Sequence, residues 1–260
     1  MRIASWNVNG YRAVWKKNFQ EWLPDAKPDV LCLQETKSWP EQLTKDQLNP
    51  FGYHSAFAQA EKKGYSGVGT FSVVAPDSVQ VGFADGSRFD SEGRVVITEH
   101  LSGKLLIANI YFPNGKARQE RLDFKMDFYA HTYEYFNKLK NEGRNIIVCG
   151  DYNTAHKEID LAHPKQNENT SGFLPIEREW MDQWVNAGWI DTFRMFDPSP
   201  GKYSWWDMRT RARERDIGWR IDYHFATEGM KHAITSASIS SEVMGSDHCP
   251  IWIEVDENAL

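Results

Sequence analysis

The turn Gly245-Ser246-Asp247-His248-Cys249-Pro250 sets a carboxylate beside an imidazole, a pairing suited to proton transfer and to phosphate or metal binding. Other apolar runs also end on polar side chains. Trp6-Asn7-Val8-Asn9-Gly10 ends on Asn7, Leu33-Gln34-Glu35-Thr36-Lys37 on Glu35, Tyr111-Phe112-Pro113-Asn114-Gly115 on Tyr111, and Gly150-Asp151-Tyr152-Asn153 on Asp151 and Asn153. Asp222 lies among hydrophobic neighbours in Trp219-Arg220-Ile221-Asp222-Tyr223. A buried carboxylate there is costly without a partner, and His248 is the natural one. Taking the proton of one imidazole nitrogen, Asp222 would leave the other nitrogen free for a phosphoryl oxygen. Singly, these residues have plain structural readings: Asn7 as a turn residue before Gly10, Glu35 as an exposed carboxylate, Asp222 and His248 as a structural pair. In company they suit phosphate-ester hydrolysis, in which a hard cation held by few carboxylates keeps open positions for substrate.

Strand ends can project such groups into a cleft. Strands are predicted over Arg2 to Asn7, Asp29 to Gln34, Val68 to Val74, Arg94 to His100, Leu105 to Tyr111, Asn145 to Gly150, Arg220 to Ala226 and Pro250 to Val255. Leu122, Met126, Tyr129, Tyr133, Phe136 and Leu139 recur at steps of three and four, so a helix with a core-facing stripe links two of these strands. Weaker helical patterns run from Tyr11 to Trp22 and from Ile176 to Ala187, the latter stopped by Gly188. The run of strands from Val68 to Tyr111 without a helix implies antiparallel pairing. The expected fold is a four-layer α/β sandwich, two mixed sheets face to face with helices outside, in one domain over residues 1–260.

The 260 residues carry a formal charge of -6, which argues against binding polyphosphate by bulk charge. A local basic stretch exists at Arg209, Arg211, Arg213, Arg215 and Arg220, opposed by Glu214 and Asp216. It reads either as a nucleic-acid contact or as a solvated charged loop. Cys32, Cys149 and Cys249 lie in apolar segments without metal-site spacing, which predicts buried, reduced thiols. No signal-peptide core or membrane-length apolar run is present, so an untargeted cytoplasmic protein, a monomer away from membranes, is expected.

The ordered series from Ser5 to Pro250 resembles the signature of the exonuclease/endonuclease/phosphatase superfamily. Tyr203-Ser204-Trp205-Trp206, the arginine-rich loop and Gly218-Trp219-Arg220-Ile221-Asp222-Tyr223 resemble its apurinic/apyrimidinic endonuclease branch, of the exodeoxyribonuclease III type. The resemblance implies a DNA repair hydrolase that cuts 5′ to abasic sites in duplex DNA, with 3′–5′ exonuclease or 3′ phosphodiesterase action on blocked 3′ ends. It implies Mg²⁺, replaceable by Mn²⁺, bound chiefly by Glu35 with Asn7 and Asp247 nearby and Asp151 and Asn153 on the nucleophile side. Asn9 stands where some relatives carry aspartate, which weakens ligation there. Asp151 would orient or deprotonate the water, Asn153 would fix its line of attack, and His248, Asn114, Asn153 and Tyr111 would donate to the phosphate. Tyr111 reads equally as a neutral donor or a phenolate.

An abasic sugar can be selected by a narrow apolar pocket that rejects a base, and Trp205, Trp219 and Ile221 are the expected lining. With 11 tryptophans in the chain, packing is the competing reading for each. Arg209 and Met208 are the expected loop contacts to DNA, with Lys37, Lys116 and Arg118 adding phosphate contacts, and Thr170, Ser171 and Gly172 are expected to keep the cleft open. Two alternatives remain: another phosphoesterase of the superfamily, such as a nonspecific deoxyribonuclease or head-group phosphatase, and a silent DNA-binding protein.

Overall fold

The computed structural model describes residues 1–260. Fourteen strands are present: β1 (Arg2–Asn7), β2 (Val30–Gln34), β3 (His54–Ala58), β4 (Val68–Ser72), β5 (Ser78–Val81), β6 (Val95–His100), β7 (Leu105–Tyr111), β8 (Ile146–Asp151), β9 (Trp189–Asp191), β10 (Trp205–Trp206), β11 (Gly218–Trp219), β12 (Asp222–Thr227), β13 (Ile234–Ile239) and β14 (Ile251–Val255). One sheet runs β13-β14-β1-β2-β4-β3 and the other β5-β6-β7-β8-β12-β9, while β10 and β11 form a short separate ribbon. Each large sheet has one parallel pair, β1 with β2 and β7 with β8, flanked by antiparallel neighbours.

The two sheets pack face to face. Ile3, Val30 and Cys32 of one meet Leu105, Ile107, Ile147, Cys149 and Ala226 of the other in a fully buried layer. Period-two alternation sends the intervening residues outward. Ala4, Trp6, Leu31 and Leu33 pack under the helical segment 11–26 through Tyr11, Phe19 and Leu23. Leu106, Ala108, Ile110, Ile146 and Val148 pack under the helices Gln119–Asn141 and Pro175–Asn186 through Phe128, Tyr129, Phe136, Trp180 and Trp184. Helix, sheet, sheet, helix is the expected four-layer sandwich.

Two expectations need correction. Strand β4 does not pair with β6: the chain changes sheets between them, so antiparallel pairing holds for β5-β6-β7 only. The segment 11–26 is not one regular helix, because Trp15–Phe19 takes a wider π-helical turn between two α-helical pieces.

Along each strand the inward-facing residues change character toward one rim of the sandwich. Strand β1 reads Ile3, Ser5, Asn7; β7 reads Ile107, Asn109, Tyr111; β8 reads Ile147, Cys149, Asp151; antiparallel β12 reads Ala226, His224, Asp222. A buried polar layer thus separates the apolar core from the rim. There Gln34 Nε2 donates to Ser5 Oγ at 2.9 Å and Asn109 Oδ1 at 2.8 Å, and Asn109 Nδ2 donates to Thr70 Oγ1 at 3.2 Å. Partnering these groups offsets their desolvation and locks the sheets in register.

Candidate active site

Strand register builds the centre of the site. Tyr111 lies opposite Asp151 across β7 and β8, and Asp151 opposite Asp222 across β8 and β12, so three functional side chains form a row on one rim. Gly150 allows this approach: its φ is +138°, and a Cβ there would stand 1.9 Å from the Ile110 carbonyl. The other sheet reaches the row through Asn7, whose Nδ2 donates to Asp151 Oδ2 at 2.8 Å.

His248 closes the row. Its Nδ1 lies 2.8 Å from Asp222 Oδ2 and its Nε2 3.8 Å from Asp151 Oδ2. Asp222 is held in turn by Ser204, whose hydroxyl donates to the same oxygen at 2.6 Å. Burial alone would depress the imidazole, but Asp222, Asp151 and Asp247 outweigh it and raise its pKa to about 10. His248 is therefore an imidazolium at neutral pH, with Nδ1–H committed to Asp222 and Nε2–H available to an anion. Asp151 is pushed up to about 7 by burial, against the lowering effect of His248, so near neutrality it can take a proton. Burial, reinforced by Glu35 and Asp151, lifts Tyr111 well above the usual phenol range, which favours the neutral donor over a phenolate.

Backbone strain marks the same rim. Asn9, Glu35, Lys37 and Asn153 all have φ between 47° and 55°, a region that costs non-glycine residues about 1–3 kcal/mol and persists only where surroundings impose it. Main-chain bonds impose it here: Gly10 N–H donates to Glu35 O at 2.8 Å, Tyr11 to Thr36 O at 2.9 Å and Lys37 to Ser66 O at 2.8 Å. Asn153 N–H donates to Asp151 Oδ1 at 2.8 Å, and its Nδ2 is shared between Phe112 O and Asp151 Oδ2. Asn153 thus orients Asp151, while its Oδ1 accepts from Asn114 Nδ2 at 2.9 Å.

A cleft of about 510 Å³ opens over this rim. It is lined by Glu35, Lys37, Tyr111, Asn114, Asp151, Asn153, Asp247 and His248 on one side and by Trp205, Met208, Arg209, Trp219 and Ile221 on the other. Of the residues expected from the sequence, Asn7 and Asp222 lie outside the lining, buried beneath it against Asp151 and His248, and Arg118, Thr170 and Ser171 also lie outside it. The aromatic wall stands on the β10–β11 ribbon, where Trp205 is paired with Trp219. The ribbon is sewn to the Asp247–His248 turn by Trp206 N–H to Asp247 O at 3.0 Å and Cys249 N–H to Ser204 O at 2.9 Å. Gly172 closes the wall, since a Cβ on it would come within 3.1 Å of the Trp219 ring.

The donors suit a hard cation. Lys37 Nζ lies 3.0 Å from Glu35 Oε1 and 2.5 Å from Asn9 Oδ1, so these oxygens already hold one positive charge at the rim. Asn9 Nδ2 also donates to Asp247 Oδ1 at 2.9 Å, and Trp205 Nε1 to Asp247 Oδ2 at 3.1 Å. The ligand atoms of Asp151, Asp222 and His248 likewise lie within 4.8 Å of one another, but there the imidazole proton already fills the space between the carboxylates.

Several residues acquire roles that the sequence did not disclose. Arg94 is 2% exposed, stacks on the Tyr111 ring at 4.8 Å and donates to its carbonyl at 2.8 Å. The sequence placed it as the first residue of a predicted strand, whereas the strand begins at Val95. The Lys116 ammonium, expected only as a phosphate contact, lies 5.0 Å from the Trp205 ring centre and 5.2 Å from that of Trp219. The arginine-rich stretch is divided in function. Arg209 is open to solvent, its side chain 94% exposed. Arg213 is tied to the Ser241, Val243 and Ser246 carbonyls. Arg220 is buried against Asp160 at 2.8 Å and Asp191 at 2.6 Å, so it is a core ion pair and not a surface cation. The three cysteines are free and buried, as expected. No helix is long and apolar enough to cross a membrane.

Residues 4–248 match the Endonuclease/Exonuclease/phosphatase family. An exodeoxyribonuclease of Bacillus subtilis is 43% identical over 258 residues, covering 98% of this chain and 100% of that one. A DNA-(apurinic or apyrimidinic site) endonuclease of Dictyostelium discoideum is 38% identical over 261 residues, covering 99% and 71%. An AP endonuclease structure from Archaeoglobus fulgidus superposes with a TM-score of 0.88 at 27% identity, covering 98% and 99%. With a family match across nearly the whole chain and relatives that align with 98% or more of it, this chain belongs to the Endonuclease/Exonuclease/phosphatase family, among its exodeoxyribonucleases and AP endonucleases.

Proposed function

We propose that the chain is a magnesium-dependent DNA repair hydrolase that cuts the phosphodiester bond 5′ to abasic sites in duplex DNA. The same centre would act at blocked 3′ ends as a 3′–5′ exonuclease or 3′ phosphodiesterase. The observation that carries the reading is that Tyr111, Asp151 and His248, backed by the buried Asp222, face one cleft with Trp205, Trp219 and Ile221.

Asp151 accepts the proton of the attacking water, oriented by Asn7 and Asn153, which bond the same carboxylate oxygen. The His248 imidazolium and the Tyr111 hydroxyl donate to the non-bridging oxygens, where charge grows in the transition state. Asp222 and Ser204 keep His248 charged and aimed. Glu35, with Asn9 and Asp247 in the same lining and Asn7 buried beneath it, would hold Mg²⁺ or Mn²⁺, whose charge would favour departure of the 3′ oxygen. The tryptophan wall accepts a sugar without a base, and Met208 and Arg209 meet the DNA beside it.

A duplex with one abasic analogue, an undamaged duplex and a blunt 3′ end, each assayed with Mg²⁺ or EDTA, tests the reading. Incision at the abasic position that requires the metal is expected. Equal cutting of undamaged and abasic duplex would overturn the substrate assignment, and full activity in EDTA would overturn the metal.

A further inference from the structure

Lys125 and Glu177 form an ion pair with no exposed surface on either side chain, 2.6 Å apart. Lys125 sits on the helix Gln119–Asn141, on the apolar face with Leu122 and Tyr129. Its ammonium also donates to the Asn153 carbonyl and to Thr154 Oγ1, both at 2.8 Å. Glu177, in the first turn of the helix Pro175–Asn186, accepts from Ser171 Oγ at 2.9 Å, Gly172 N–H at 2.6 Å and Leu174 N–H at 3.0 Å. One side of the pair therefore grips the turn that orients Asp151. The other grips the segment that backs Trp219.

The two gripped segments also touch each other. A Cβ on Gly172 would lie 3.2 Å from the Asn153 carbonyl, and one on Gly115, beside Asn114, would lie 2.5 Å from Ser171 Oγ. Stability is a poor reason for such a pair, because two desolvated charges are often matched or bettered by apolar side chains of similar volume. What an apolar pair cannot supply is five directed hydrogen bonds to two segments, joined by a sixth between the pair itself.

We propose that Lys125 and Glu177 are positioning residues that hold the Asp151–Asn153 turn in register with the Ser171–Leu174 pocket wall. The proposal rests on the functional reading above, because it assumes hydrolysis at Asp151 and a sugar against Trp219.

The test is the volume-conserving pair Lys125→Met/Glu177→Leu, measured for thermal midpoint, kcat on abasic duplex and Kd for undamaged duplex. The variant should stay folded with a near-native midpoint and bind undamaged duplex as before, through contacts such as Arg209 that the pair does not touch. Its kcat should fall about 10- to 100-fold, the effect of roughly an ångström of misplacement. A folded variant with kcat within about twofold of the parent would overturn the proposal. Should the double variant not fold, Glu177→Gln replaces it, with hydrogen exchange at the Gly172 amide as a second readout. Faster exchange together with reduced kcat supports positioning, and unchanged exchange or unchanged kcat overturns it. Lys125→Arg should recover part of the rate. Parent protein that leaves abasic duplex uncut would count against the functional reading, whereas an active parent with an equally active variant would count against the positioning role alone.

Discussion

The two sides of the cleft are built differently. The proposed hydrolytic side stands on the ends of β1, β7, β8 and β12, in the interiors of the two large sheets, and Asp151, Asp222 and His248 are 1%, 2% and 4% exposed. The recognition side stands on a two-strand ribbon and a loop, where Met208 is 61% exposed and the Arg209 side chain 94%. Reaction groups fixed before substrate arrives spend no binding energy on alignment. Loop contacts to DNA backbone can be weaker individually and still sum to affinity. Damage on the first side should therefore appear in kcat, and on the second in KM and substrate choice.

Asp151→Asn strains this contrast most. It removes the proposed base while conserving shape, so kcat should fall by about 10³-fold or more with abasic-DNA binding still measurable by gel shift or anisotropy. Turnover near the parent rate would remove Asp151 from the role.

Asp222→Asn should cost about 10²-fold in kcat and also change the pH profile. Beside Asp222, His248 holds its proton up to about pH 10, so the alkaline fall in activity should come as pH rises through that value, with a separate acid fall as Asp151 gains a proton below about 7. Without that charge the imidazole deprotonates at lower pH, and the alkaline limb of the kcat profile should move down. An unmoved limb would show that His248 does not govern it.

Trp219→Ala belongs to the other side. It should leave 3′-end hydrolysis nearly intact while abasic discrimination against undamaged duplex drops about 10-fold, an effect of pocket shape. Smallest is Arg209→Ala, expected to weaken binding a few-fold and to reduce the slope of log Kd against log salt by about one. An identical loss from Arg220→Ala through DNA contact is not expected. Its removal should lower the thermal midpoint instead, because Asp160 and Asp191 would lose the cation they face.

The same contrast governs what the sequence disclosed. Strands β1 and β7 have the bounds expected of them, and Asn7, Glu35, Tyr111 and Asp151 were legible because each is a polar side chain ending a buried apolar run, whereas Asp222 and His248 were legible as a carboxylate among apolar neighbours and its imidazole partner. Strands β3, β5 and β13 escaped notice. They are sheet-edge strands with half-exposed residues, such as Ser78–Val81, and their alternation is weak. Lys125 was hidden for a related reason, since a lysine in a helix is usually solvated and only its place on the apolar face betrays burial. Arg220 misled in the opposite sense: proximity to Arg213 and Arg215 suggested a surface cation, and its partners Asp160 and Asp191 are too distant in sequence to be read.

Strand β1 lies between β2 and β14, so the first strand of the chain cannot complete its hydrogen bonding until the last has emerged. Asn9 with Asp247 imposes nearly the same wait on the site, while Asn7 with Asp151 needs only the chain as far as β8. Contacts between such distant positions form slowly, because their loop entropy is lost before the contacts repay it. Nascent chains should thus remain inactive until the Asp247–His248 turn and β14 are made, which leaves the proposed centre incomplete while the preceding residues are being synthesised.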